Sequence, residues 1–339
     1  MGCNLKYKVC IRCDTYNHSQ FIVNAMDGFV SQETSFPFVA TIIDDASTDN
    51  TSQVIVDYLD RYFDFDEPEV AFRNNTDYGS VLFARHKLNK NCFFAILLLN
   101  ENHYSQRKRK NPYLKPWVDN SEYIALCEGD DYWIDSAKLE KQVTYLDTHE
   151  ECEMIACSSY WSIEGVLEER NYASKEPRVL SVEEVIRGGG SFVPTCSLVY
   201  KRRYFYDIPQ WRKIANVGDY PLQIQGALEG NLFYLPEAMC VYRRGQKGSW
   251  ADRFYNNQEM RLKHQRAELT WMAELDRCTK HRFQSVVFER FIPSIHILFV
   301  NHLASVKEYY HCVKVAGTAS DKKRMIKNVT KRLIHYKQN

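Results

Sequence analysis

What most constrains this chain is the way short apolar runs alternate with amphipathic ones over its first 150 residues, each apolar run stopping at polar or acidic residues. Residues 8–13 read as a short strand and 18–33 as an amphipathic helix, and the β-branched run 39–43 ends abruptly in Asp44-Asp45. The capping cluster Ser47-Thr48-Asp49-Asn50 then opens a helix whose buried face is Val54, Ile55, Tyr58, Leu59 and Tyr62. A short strand is expected at 69–72 and a helix at 78–88. Residues 91–122 break the pattern with an apolar patch, the basic tetrad Arg107-Lys108-Arg109-Lys110, and Pro112 and Pro116, and read as an inserted loop. The alternation resumes with a strand at 123–127, the turn Glu128-Gly129-Asp130-Asp131 and a helix at 137–148.

Strand and helix in alternation imply a mostly parallel sheet with helices on both faces. Ligands of such sheets bind beyond the carboxyl ends of the strands. Asp44-Asp45 and the Glu128 to Asp131 turn should therefore line one crevice, although more than 80 residues separate them. The second half is a looser mixture: strands at 154–158 and 197–201, a Gly188-Gly189-Gly190 turn, a helix at 219–228 and a strand pair at 232–243. From about residue 252 the chain turns helical. A length of 339 residues suits a first domain over 1–250 and a helical C-terminal extension over 251–339.

Net charge is +1, so no global field argues for nucleic acid, and electrostatic function must come from local clusters. Besides 107–110, residues 322–337 carry Lys322, Lys323, Arg324, Lys327, Lys331, Arg332 and Lys337, interleaved with Met325, Ile326, Val329, Leu333 and Tyr336. A basic helix with an apolar stripe suits either packing on the domain or peripheral contact with an anionic membrane face. The N-terminal residues hold no apolar run of the secretory kind and no window reaches 18 apolar residues, so the expectation is a cytosolic protein, peripheral at most on the inner membrane face. Eleven cysteines, mostly inside apolar runs, suit reduced core thiols, and Cys10-x-x-Cys13 lacks the second pair that a zinc site needs. Oligomeric state is not legible.

Glu128, Asp130 and Asp131 place three carboxylates within four residues, which repel one another by roughly 1–4 kcal/mol per close pair. Such a cluster needs a cation or a raised pKa. Hard divalent ions such as Mg²⁺ and Mn²⁺ prefer carboxylate oxygens and complete their shell with substrate phosphate. The other reading is a solvated turn that caps the helix beginning near Ser136. Tyr132 and Trp133, unusual on a plain turn, and the position at a strand end favour the metal.

Five motifs in order carry a family resemblance: Thr15-Tyr16-Asn17, Ile43 to Asp49, Glu128 to Trp133 with Lys138-Leu139, Gly218-Asp219-Tyr220-Pro221-Leu222, and Val241-Tyr242-Arg243-Arg244. Over about residues 6–250 the chain resembles the family 2 glycosyltransferases of bacterial surface-polysaccharide assembly. The resemblance implies a GT-A fold, Rossmann-like, with a mostly parallel central sheet, flanking helices and the C-terminal extension. It also implies an inverting transfer from a nucleoside-diphosphate sugar, UDP-linked by preference, to a glycan or lipid-linked acceptor, assisted by Mn²⁺ or Mg²⁺.

By the same resemblance Tyr16, next to Thr15, stacks on the base and Asp45 accepts from a ring nitrogen. Asp131 takes the metal with Glu128 near it, and Asp130 lies by the ribose or the metal, the two aspartates being exchangeable. Asp219 matches the general base that activates the acceptor hydroxyl; alone, it reads as a helix cap. Arg243 and Arg244 suit the diphosphate or a solvated edge, and Arg85 on the 78–88 helix suits the nucleotide or the surface. Asp14, Ala46 and Ser136 depart from common residues of the family, and Gly245 stands where many relatives have histidine, leaving one metal or phosphate contact unassigned. Competing readings are a nucleotidyltransferase, which should show a glycine-rich loop absent from Cys13 to Tyr16, and a non-catalytic nucleotide-sugar-binding module.

Overall fold

The computed structural model describes residues 5–170, 173–246 and 249–336. In chain order the elements are β1 (Tyr7–Thr15), α1 (Ile22–Val30), β2 (Phe38–Asp44), α2 (Thr51–Tyr62), β3 (Phe63–Asp64), β4 (Phe72–Thr76), β5 (Gly79–His86) and β6 (Cys92–Leu99). Next come α3 (Asn111–Val118), β7 (Ser121–Leu126), β8 (Tyr132–Trp133), α4 (Lys138–Thr148), β9 (Cys152–Ile163), β10 (Val166–Arg170), β11 (Arg178–Leu180) and α5 (Val182–Gly188). They are followed by β12 (Val199–Lys201), α6 (Arg203–Tyr206), α7 (Gln210–Lys213), α8 (Asp219–Glu229) and β13 (Asn231–Arg244). Helices α9 (Trp250–Asn256), α10 (Gln258–Cys278), α11 (Gln284–Val300), α12 (Val306–Ala316) and α13 (Ala319–Tyr336) complete the chain.

These elements form two compact units. The first comprises Met1–Leu180, Val193–Tyr206 and Glu229–Arg244; the second comprises Ser181–Phe192, Asp207–Leu228 and Gly245–Asn339. One junction between the units lies at Arg244/Gly245, and the second unit also draws two segments from within 1–250.

The first unit is a mixed sheet in the order β11-β13-β9-β12-β7-β1-β2-β6-β5-β3. Its centre, β7-β1-β2-β6, is parallel. Every residue of β2 is buried, as a strand covered on both faces requires, which is why its sequence is a continuous apolar run rather than an alternation. On one face α1 buries Ile22, Met26 and Phe29, with Phe29 edge-on to Trp133 at 5.0 Å. Gly28 permits this approach, because a Cβ there would lie 2.8 Å from the Trp133 carbonyl oxygen.

Four expected elements are corrected. Residues 78–88 are not a helix: Gly79–His86 is strand β5, antiparallel to β6. The run Ser80-Val81-Leu82-Phe83-Ala84 is too short and too evenly apolar for periodicity to separate strand from helix, and sheet pairing decided it. Residues 91–122 are not an inserted loop, since they hold β6, α3 and the start of β7, and β6 is a fully integrated strand beside β2. The strand expected at 69–72 begins only at Phe72. The strand pair at 232–243 is the single strand β13, whose register against β9 shifts between Leu235 and Ala238 and again before Cys240. Pro236 lies in that irregularity, lacking the N–H a regular ladder requires, and a bulged strand reads in sequence like a hairpin.

The second unit is helical. Trp271 of α10 is fully buried, with Tyr220 of α8 edge-on at 5.5 Å and Trp211 of α7 stacked at 6.2 Å. Buried His296 of α11 bonds the Tyr309 hydroxyl on α12 at 2.5 Å and the Asp321 carboxylate on α13 at 3.0 Å, pinning three helices together. Among the described residues every cysteine is a free thiol, and all but Cys278 are buried. No described helix is long and apolar enough to cross a membrane.

Candidate active site

The carboxyl ends of β1, β2 and β7 meet as the alternation implied. Thr15 pairs with Asp44 across β1 and β2, the amide of Asp45 donates to the Thr15 carbonyl at 3.0 Å, and the Gly129 amide donates to the Asp14 carbonyl at 3.0 Å. The acidic turn thus lies against the end of β1. Gly129 makes that possible: a Cβ at this position would stand 2.5 Å from Thr15 Oγ1 and 3.0 Å from His18 Nδ1. Gly129→Ala is accordingly expected to cost about 1–3 kcal/mol by overpacking. Gly218→Ala, where a Cβ meets nothing within 4 Å, should stay within about 0.5 kcal/mol, and paired urea titrations check both.

The three carboxylates of the turn differ in setting. Glu128 is exposed and Asp130 is partly buried. Asp131 is 1% exposed; its Oδ1 accepts the backbone N–H of Arg243 at 2.8 Å, and its Oδ2 is buried with no hydrogen-bond partner. Burial, then the charge of Asp130, drives the Asp131 carboxyl well above the ordinary range; the Arg243 amide and the Cys196 thiol offset part of this and Glu128 adds to it. A buried carboxylate oxygen without a partner, beside a second carboxylate, fits a divalent cation. Among the described residues no three His, Cys, Asp or Glu side chains form a complete metal cage. One or two carboxylates suit an ion that completes its shell with phosphate and water.

Strand β13 brings Arg243 here by pairing Val241 with Tyr132 and Cys240 with Trp133 of β8. The guanidinium donates to the Asp130 carbonyl and, at 2.7 Å, to Asn24 Oδ1, and it lies over Tyr132 at 4.4 Å and Phe21 at 4.9 Å. It is a fixed cation on the rim of the acidic turn. Arg244 stacks instead over Trp161 at 4.1 Å.

Tyr16 is 41% exposed just past the end of β1, while Thr15 is buried and bonds His18 Nδ1 at 3.1 Å. His18 Nε2 in turn lies 4.0 Å from Asp130. Asp45 is buried, and each of its oxygens accepts a backbone N–H, from His103 at 2.7 Å and Tyr104 at 3.0 Å. Its carboxylate therefore holds the 101–104 turn. Ala46 adopts a left-handed φ of 58°, the conformation for which the glycine of the resemblance is suited.

Arg85 is not at this end of the sheet. It pairs with Phe93, which pairs with Val39 at the start of β2, and its guanidinium forms an ion pair with Glu67. Asp44 is five residues further along β2, so Arg85 lies on the order of 17 Å from the carboxyl ends. With β5 a strand, Tyr78 reaches the crevice side instead, stacked on Tyr113 at 4.0 Å, and Tyr113 bonds His103 Nε2 at 3.2 Å.

Sequence reasoning missed His18, His103 and the role of Lys110. Lys110 forms ion pairs with Asp14 at 2.7 Å and with Asp45 at 3.5 Å, and Arg12 Nε bonds Asp14 at 2.7 Å. The tetrad's last residue is thus spent beneath the crevice, and Lys108 is paired with Glu101. Burial alone would raise the Asp14 pKa, but Arg12 and Lys110 outweigh it and hold the carboxyl well below the ordinary range. Asp14→Asn should cost about 2–3 kcal/mol at neutral pH, because it leaves Arg12 without its carboxylate and Lys110 with only its longer contact, at 3.5 Å, to Asp45. Since the folded pKa is depressed, that contribution is complete above the unfolded value near 4 and fades as pH falls below it. Denaturation of both proteins between pH 3 and 7 checks the sign.

Asp219 belongs to the second unit, where it opens α8 half-buried. Asn216, three residues before it, bonds His264 Nδ1 on α10 at 2.7 Å, and His264 Nε2 lies 3.9 Å from Glu268, which faces Arg290 at 3.4 Å. Burial and then Arg290 lower the His264 pKa, while Asp219 raises it. The helices at the C-terminal end of the chain thus supply the surroundings of the Asp219 segment.

The fold is that of the GT-A glycosyltransferases, as expected. Residues 1–349 of TarS from S. aureus, solved with UDP-GlcNAc, match with a TM-score of 0.59 at 14% identity, covering 98% of this chain and 92% of that one. The same protein solved with UDP matches with a TM-score of 0.56 at 15% identity, covering 98% and 91%. In sequence, the chain is 34% identical over 247 residues to the uncharacterized proteins Rv1520 of Mycobacterium tuberculosis and Mb1547 of Mycobacterium bovis, a match spanning 70% of this chain and 58% of each relative. The chain thus spans somewhat more than half the length of these relatives. No family model matches it.

Proposed function

We propose that the chain is a nucleotide-sugar-dependent glycosyltransferase of the family 2 type, transferring with inversion from a UDP-sugar to a glycan or lipid-linked acceptor of surface-polysaccharide assembly. The observation that carries the reading is the partnerless buried oxygen of Asp131 beside Asp130 at the carboxyl ends of parallel strands. A fold shared with a protein solved in complex with UDP-GlcNAc supports it.

In this reading Asp131 and Asp130 hold Mn²⁺ or Mg²⁺, with Glu128 adding charge at the rim. The ion supplies charge neutralisation for the departing diphosphate. Tyr16 stacks on the base. Asp45 acts at one remove, by fixing the His103 and Tyr104 backbone. Arg243, already anchored by Asn24 and the Asp130 carbonyl, presents a preorganised cation to phosphate oxygens without further ordering. Asp219 is assigned the removal of the acceptor hydroxyl proton by the order of the motifs.

Calorimetric titration with UDP, GDP and dTDP, each with and without Mn²⁺, tests the reading, followed by assays of donor hydrolysis. UDP binding that strengthens with Mn²⁺ is expected. If none of the three nucleotides binds in a metal-dependent way, the reading is overturned.

A further inference from the structure

One face of α13, a helix whose sequence suited either packing on the domain or contact with an anionic membrane, is spent inside the second unit. Asp321 bonds His296, Asn328 donates to the Tyr309 hydroxyl at 3.1 Å, and Arg332 donates to the Ala304 carbonyl at 3.0 Å and lies over Phe299 at 4.6 Å. Met325 and Val329 are half-buried in the same row. Lys337 and the side chains of Leu333 and Tyr336 lie outside the described residues.

The opposite face is what remains exposed. Lys322, Lys323, Arg324, Lys327 and Lys331 are all exposed, and Ile326, in their midst, is 62% exposed. Asp321, the one acid among the described residues of α13, is withdrawn by His296 and Thr318. Five cations thus share a stretch of about 14 Å, within about two screening lengths of physiological salt, and α13 offers no other acid among its described residues. Neighbouring α12 has the same character: its exposed residues include Val306, Lys307, Tyr310 and Lys314, while Glu308 turns to Arg266.

We propose that the exposed faces of α12 and α13 dock on a membrane surface rich in anionic lipid headgroups. The charges alone would suit any polyanion. The apolar and aromatic groups set among them decide for lipid, because Ile326, Val306 and Tyr310 gain nothing from a soluble polyanion but can enter the headgroup layer while the lysines reach phosphate. This inference is independent of the catalytic reading above.

The test is cosedimentation of the full chain with vesicles of phosphatidylcholine alone or with one-third phosphatidylglycerol. Binding to the anionic vesicles, weakened by high salt, is expected. At about fivefold per basic residue near the surface, Lys323→Glu/Lys327→Glu/Lys331→Glu should lower the partition coefficient by roughly a hundredfold or more. Circular dichroism and nucleotide calorimetry on that variant should match the wild type, which separates lost docking from lost folding. A second variant, Ile326→Ser/Val306→Ser, should weaken vesicle binding but leave heparin binding unchanged. The proposal is overturned if the wild type ignores anionic vesicles, if the triple variant sediments as well as the wild type, or if heparin is bound while vesicles are not.

Discussion

Asp219→Asn is expected to lower sugar transfer by roughly 10²–10⁴-fold, the usual worth of a positioned general base, while nucleotide affinity stays within about twofold. The substitution keeps the shape of the side chain and one acceptor oxygen while removing the negative charge and the ability to accept a proton at neutral pH. Asp219 opens α8, whose buried residues include Tyr220, Leu222 and Ile224, so the helix should survive. The measurement is a split one: transfer rate against a soluble acceptor, and calorimetric affinity for UDP. Transfer retained with normal binding would leave Asp219 as a helix-terminal residue only. Donor hydrolysis without acceptor is informative as well, because water needs less activation within a site built to polarise the donor, and a smaller fall is expected there.

Asp131→Asn should act in the opposite sense on two properties. Metal-dependent nucleotide affinity is expected to fall by about a hundredfold or more, since the residue supplies the buried oxygen that lacks any partner of its own. The metal-free protein, by contrast, should become more stable by about 1–2 kcal/mol. An asparagine retains Oδ1 to accept the Arg243 amide, at present 2.8 Å away, and removes the buried negative charge that desolvation and Asp130 disfavour. Thermal melts with and without Mn²⁺ check both halves: the wild type should gain stability from the ion, and the variant should start higher and gain little. A variant that is less stable and still responds to Mn²⁺ would mean that Asp131 is a structural group and the ion is held elsewhere. Function and stability traded against each other at one buried carboxylate are what a ligand site predicts; a plain capping residue would lose stability when neutralised.

The errors of sequence reading have a common cause. Where a strand is covered on both faces, as β2, β6 and residues 81–84 of β5 are, apolar residues follow one another and the period-two signal disappears. For β2 the β-branched residues and the acidic stop compensated. For β5 nothing did, and a strand taken for a helix sent Arg85 to the wrong end of the sheet and hid Tyr78. The bulge at Pro236 misled in the same way, by splitting one strand into two apparent ones. Neither His18's place at the site nor the pairing made by Lys110 was signalled locally. Their partners, Asp130 and Asp14, are 112 and 96 residues away in the chain.

What the sequence determined by itself was the parallel core, the placement of both acidic turns at strand ends and the order of motifs that gives the GT-A fold. Those features follow from local patterning and from the rule that ligands gather where parallel strands finish. Only the tertiary structure decided which carboxylate is buried. Asp130 and Asp131 are neighbours in sequence and chemically identical, yet β13 closes over one of them and supplies the Arg243 amide to a single oxygen, leaving the other without a partner. Desolvation depends on what packs against a group from distant parts of the chain, and for Asp131 that is a strand arriving more than a hundred residues later.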